Sequence, residues 1–174
     1  MLRLRIIAVL LFCLTFYSCF TVHDKGDAKG KAMDLFNKNK SDFYAIGNIC
    51  ESFMSKYPKD TFELIYAYNS RGLGVLHRME SGLLDADGKG IFSNNNLGTS
   101  YDEIKQICDR NYILSIEIKQ GRADIRLNGL QARGYEMFIV YTKSKYRESS
   151  PEKNDKDWCD ILVPDYFVSG HYIE

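Results

Sequence analysis

From Phe62 onward the chain alternates apolar and polar residues with a period of two. Phe62, Leu64, Tyr66 and Tyr68 are interleaved with Glu63, Ile65 and Ala67. Leu73, Val75, His77 and Met79 repeat the pattern after the turn Asn69-Ser70-Arg71-Gly72. A two-residue period puts one set of side chains on each face of a strand, so two strands are predicted here. Before them, Phe36, Phe43, Ile46, Cys50, Phe53 and Tyr57 recur at helical spacing. A helical region is predicted from about Lys31 to Tyr57 and ends at Pro58, whose ring and missing N–H stop a helix. The polar run Asn37 to Ser41 splits it, with Ser41 as candidate N-cap of the second piece.

Residues 80–99 have no period and hold several Gly, two Asp and the run Asn94-Asn95-Asn96. Ser100-Tyr101-Asp102-Glu103 has the form of a capping box, and Ile104, Ile107 and Cys108 give the short helix behind it an apolar side. The period of two then returns. Tyr112, Leu114, Ile116 and Ile118 oppose Ser115, Glu117 and Lys119, and Gln120-Gly121 turns the chain. Ala123, Ile125 and Leu127 alternate with Arg122, Asp124 and Arg126, and Asn128-Gly129 is a second turn signal. Strands are predicted from about Gly134 to Thr142 and from Tyr166 to Ile173. The charged segment 143–157 lies between them, and Pro164 confines Trp158–Val163 to an edge or a turn. One-sided strands imply an antiparallel sheet with one covered and one wet face. The fold class expected is α+β: one antiparallel sheet of about five to six strands, with two or three helices packed on one face.

The first 18 residues belong to a different pattern. Arg3 and Arg5 precede an uncharged, mostly apolar stretch from Ile6 to Val22. Ser18-Cys19 falls inside it, and the chain turns polar at His23-Asp24-Lys25. Basic, then apolar, then small, then polar is the order of a secretory signal. The segment resembles the N-termini of bacterial lipoprotein precursors, in which a Cys after a small residue is cleaved at and lipidated. The resemblance covers about twenty residues, and Tyr17 and Phe16 are larger than the usual occupants of that box. It implies a signal peptide over 1–18, lipid attachment at Cys19, a lipidated tether over 19–30 and one domain over 31–174. Each buried acyl methylene adds about 0.8 kcal/mol, so three chains would anchor the protein firmly. The protein is therefore expected to be exported and membrane-anchored in the bacterial cell envelope, on a periplasmic or surface face.

Composition narrows function by exclusion. There are 23 basic and 23 acidic residues; without Arg3 and Arg5 the basic total is 21, a mature charge near −2. No basic stripe stands out, so nucleic acid is not an expected partner. Of five cysteines, Cys13 lies in the signal and Cys19 is the lipid site, leaving Cys50, Cys108 and Cys159. Cys50 and Cys108 fall on apolar helix faces and read as small buried hydrophobes rather than as a disulfide.

No catalytic residue, metal ligand or cofactor site emerges from the spacing. Asp85-Ala86-Asp87-Gly88-Lys89-Gly90 has part of a calcium-loop pattern. Lys89 stands where an oxygen ligand belongs, and Asn96 where the bidentate Glu should be. Ser169 and His171 share a strand face, which is not a triad, and no G-x-S-x-G elbow occurs. Gly72-Leu73-Gly74 lacks the third Gly of a phosphate cradle. Glu117, Asp124 and Glu136 could meet across neighbouring strands beside Lys119, Arg122 and Arg126, more simply as cross-strand ion pairs than as an acid/base pair. Tyrosines offer the one candidate surface, with Tyr66, Tyr68, Tyr135 and Tyr141 as candidate binding residues.

Two functional readings follow. The favoured one is a non-enzymatic binding or accessory protein, inhibitor- or immunity-like roles included, whose partners are the membrane through its lipid and another envelope or secreted protein. The alternative is a small-ligand pocket protein or an unrecognised hydrolase, with His77 or His171 facing a cleft beside an acid. Cys19→Ala is expected to shift the protein from the membrane to the soluble fraction or to leave it at precursor mass. Unchanged fractionation and mass would remove the lipid assignment.

Overall fold

The structure is a computed structural model. It describes residues 25–82, 84–85, 98–119, 121–128, 135–142 and 157–172. Cys19, the signal segment, most of the calcium-like loop and the charged segment 143–156 lie outside these residues.

Two helices open the described chain, α1 (Lys25–Lys38) and α2 (Lys40–Lys56). α1 begins earlier than its polar composition suggests, taking in six residues expected in the tether. Ala28, Ala32 and Phe36 recur every four residues and are 2% exposed or less, so a narrow stripe of small side chains seats the helix on the sheet. The break falls at Asn39, not at Ser41, which lies inside α2; Asn39 makes no side-chain cap bond. Phe43, Ile46, Gly47, Cys50 and Phe53 form the buried side of α2. The Tyr57 N–H closes its last turn on Phe53 O at 2.8 Å, just before Pro58.

Strands β1 (Thr61–Ala67) and β2 (Gly72–Arg78) form a hairpin, and the two-residue β3 (Leu84–Asp85) pairs with the outer edge of β2. Helix α3 (Gly98–Arg110) starts two residues before Ser100, so Ser100 is not its N-cap. β4 (Ile113–Lys119), β5 (Arg122–Leu127), β6 (Tyr135–Thr142), β7 (Asp157–Val163) and β8 (Tyr166–Tyr172) follow. All pair antiparallel in the order β3-β2-β1-β4-β5-β6-β8-β7. The architecture is α+β, with three helices against one antiparallel sheet of seven full strands plus the short β3. Sequence reading predicted five to six strands. β7 is the edge strand that Pro164 permits, and Pro164 with Asp165 (φ 69°) makes the tight turn into β8.

Register sets the sidedness. Leu64 lies between Val75 and Ile116, Ile116 opposite Ile125, Ile125 opposite Ile139, and Ile139 opposite Val168. This row crosses six strands and is buried throughout. α1 packs over β6 and β8, α2 over β4, and α3 over β4 and β1. Gly170 matters on this side: a Cβ there would lie 2.5–2.8 Å from three atoms of the Trp158 indole, so only glycine lets the ring cross β8. Lys29 on α1 then reaches over the same ring to Asp160, 2.7 Å away.

One polar clamp joins the two ends of the helical layer. Asp42, in the first turn of α2, accepts two bonds from the Arg110 guanidinium and one from Asn111 Nδ2, each at 2.6 Å. The Arg110 bonds hold its carboxyl below the ordinary value, against the opposing effect of burial. A carboxyl whose pKa is lowered on folding adds stability above its unfolded pKa, and loses it as pH falls toward the folded one. Stability is thus expected to fall below about pH 4. Asp42→Ala should cost roughly 1–2 kcal/mol at pH 7, discounted because Arg110 is half exposed, and should flatten the acid limb. Urea unfolding at pH 7 and pH 3 measures both effects.

Candidate functional site

The face of the sheet away from the helices carries the alternate residues. Glu117 on β4 stands opposite Asp124 on β5, and Arg126 on β5 opposite Phe138 on β6. Phe138 is in turn opposite Ser169 on β8, and Glu136 opposite His171. Strand alternation puts these side chains together because their neighbours Ile116, Ile118, Ile125 and Ile139 are drawn into the core. A hollow of about 320 Å³ lies on this face, bordered by Glu117, Arg122, Asp124, Phe138, Ser169 and His171. Its volume is at the small end of the ~300–1,000 Å³ range of ligand sites.

Three carboxylates of this face each contact a cation. Lys119 Nζ donates to Glu117 at 2.9 Å, Arg122 Nε to Asp124 at 2.7 Å, and Arg126 to Glu136. Two of these pairs run along one strand at i and i+2; the third is diagonal across β5 and β6. These residues were expected to pair across strands; only Arg126–Glu136 does, and the other two pairs form within a strand. In these contacts each of the three carboxylates meets a base rather than another acid. Val140 and Thr142, on the same face of β6, are buried as well, at 5% and 2% exposure. Ile65 and Ile161 lie on this face too and are exposed.

This chain matches no protein-family model, no curated protein and no solved structure. Its site is therefore read from geometry alone.

The candidate tyrosines lie elsewhere. Tyr66 and Tyr141 are on the helix-covered face, 3% and 4% exposed. The Tyr66 hydroxyl donates to Asp109 at 2.8 Å, and that of Tyr141 to Glu51 across to α2. Tyr68, in the turn after β1, donates to Ile113 O at 3.0 Å. Burial first, and then the neighbouring carboxylate, pushes the Tyr66 and Tyr141 phenols up. These three hydroxyls tie helices and turns to the sheet. Tyr135 is the first residue of β6, in register with Tyr172. The surface-facing aromatic that matters, Phe138, was missed in the sequence. Its only signal is its phase, since it falls between Glu136 and Val140 among the outward positions of β6.

The two strand histidines sit on opposite faces and are separated by β1, β4, β5 and β6. His77 is 7% exposed and stacks on Phe62 with ring centroids 4.2 Å apart and planes 11° off parallel. Its Nε2 is 2.7 Å from Asp60 Oδ2, within hydrogen-bond distance. Asp60 Oδ1 takes the Glu80 N–H at 2.9 Å. This pair closes the open end of the β1–β2 hairpin and has no nucleophile beside it among the described contacts. The thiols are poorly placed for chemistry. Burial pushes Cys108 up to about 12 and raises Cys50 further, and burial with Asp160 raises Cys159. Among the described residues no group of three His, Cys, Asp or Glu could hold a metal ion. Asp85, the first residue of the calcium-like loop, lies in β3 opposite His77, and residues 86–97 of that loop are outside the described residues. Among the described residues no helix is long and apolar enough to cross a membrane.

Asp60→Ala would leave the Glu80 N–H and the buried imidazole without their acceptor. A loss of about 1–3 kcal/mol in stability is expected, read by thermal unfolding.

Proposed function

We propose that this protein is an exported envelope lipoprotein, anchored through Cys19, that works as a non-enzymatic binding or accessory protein, inhibitor- or immunity-like roles included. Its partner is another envelope or secreted protein, docked on the sheet face that the helices leave uncovered. The reading is carried by that face: Ile65 and Ile161 are exposed on it, and Glu117, Asp124 and Glu136 are each paired there with a base. Exposed apolar residues among pre-arranged hydrogen-bonding groups suit recognition. Catalysis would need a nucleophile, a base and an orienting acid in one place. His77, Cys50 and Cys108 are instead buried on the helix-covered side, away from His171, and burial pushes the thiols of Cys50, Cys108 and Cys159 up. A small-ligand reading has one observation in its favour, the hollow beside Phe138.

The test is affinity capture from native envelope extract with the full chain as bait, with and without crosslinking. One stoichiometric protein is expected, lost with Ile65→Asp and retained with Gln106→Ala on α3. Capture that ignores both substitutions, or a blank after crosslinking, removes the open-face docking reading.

A further inference from the structure

The hollow on the open face has a composition that selects among ligands. Phe138 is half-buried at its floor, between Arg126 on β5 and Ser169 on β8. Around it stand the carboxylates of Glu117 and Asp124, the Arg122 guanidinium and the His171 imidazole. The two carboxylates of the lining are each in contact with a base, Glu117 with Lys119 and Asp124 with Arg122. The floor is therefore close to neutral. A phosphorylated or sulfated ligand would need a surplus of cations, and a cationic one a surplus of carboxylates. The ion pairs also hold their donors and acceptors in place before any ligand arrives, which lowers the ordering cost of binding. The carboxylates' remaining lone pairs are strong, charge-assisted acceptors for hydroxyl groups.

We infer that the hollow around Phe138 is a binding site for a neutral carbohydrate, with a pyranose ring laid on the Phe138 ring and its hydroxyls held by Glu117, Asp124 and Arg122. A pyranose has the two properties the hollow asks for: an apolar C–H face to cover an aromatic ring, and a rim of hydroxyls that both donate and accept. This assignment rests on the reading of the open face as a binding surface.

The full chain, in a detergent without a sugar headgroup, is applied to an array of neutral oligosaccharides covering N-acetylated and unacetylated hexoses. Chitotriose and maltotriose are then titrated by calorimetry, with N-acetylneuraminic acid as the anionic control. At least one neutral oligosaccharide is expected to bind, with weak dependence on salt. Phe138→Leu keeps an apolar side chain without the flat ring, and should weaken binding roughly three- to ten-fold. Asp124→Asn should also weaken it, while Gln106→Ala should not. Circular dichroism of each variant separates loss of binding from loss of fold, and should Phe138→Leu unfold, Asp124→Asn carries the test. An empty array, an affinity unchanged in both hollow variants, or preference for the anionic sugar would each overturn the assignment. Failure of the carbohydrate reading is distinct from failure of protein docking. A protein captured through Ile65 with no saccharide bound overturns the carbohydrate alone. Saccharide binding with no captured protein supports the site and overturns the protein partner.

Discussion

The burial of one row of isoleucines governs everything on the other side of the sheet. Ile116 and Ile125 face each other at its centre with no exposed surface, and Leu64, Ile139 and Val168 extend the row to either side. Fully burying a side chain of this size is worth about 1.5–3 kcal/mol. Sliding β5 by one residue against β4 would turn Asp124 and Arg126 toward the helices and Ile125 toward water. Burying charged side chains without partners is strongly unfavourable. Apolar burial therefore specifies, as a by-product, which polar side chains become neighbours on the open face. The ion pairs there need little energy of their own to be reproducible in position.

The same logic explains why the periodic parts of the fold were legible. β1, β2 and β5 each bury every second residue, and their sequences alternate accordingly. In β4 this holds only from Ile116 on, because an irregularity between Ile113 and Ser115 buries Ile113 and leaves Tyr112, expected on the covered face, exposed. β7 was harder. Among its described side chains only Trp158 is buried, the strand is mixed in character, and Pro164 interrupts the run, so nothing in Trp158–Val163 separates an edge strand from a loop. What decides it is non-local: β8 offers a free edge, and Gly170 leaves a place for the indole. β3 is two residues long, too short to show a period. The helix starts were misplaced for a related reason. Ala28 and Ala32 carry too little hydrophobic signal to mark a buried stripe, and a Ser near a helix start is a cap only if the backbone bends there.

The candidate tyrosines show where composition misleads. A tyrosine is amphipathic, and its count does not say which end is satisfied by protein. Tyr66 and Tyr141 alternate in phase with Leu64 and Ile139, and that phase already put them on the covered face. Their hydroxyls reach Asp109 and Glu51 because each helix above supplies an acceptor. Phase and residue type thus gave opposite answers, and phase was right.

Phe138 is the converse case. It has the wrong residue type for a wet face, and its phase is shared with Glu136 and with its cross-strand neighbours Arg126 and Ser169. The two buried residues after it in that phase, Val140 and Thr142, show that β6 is sheltered on both sides along this stretch. A strand sheltered on both faces tolerates an outward aromatic without exposing all of it. The polar rim is set by the isoleucine register and the apolar floor by this local shelter. The hollow exists where the two coincide, across β4, β5, β6 and β8.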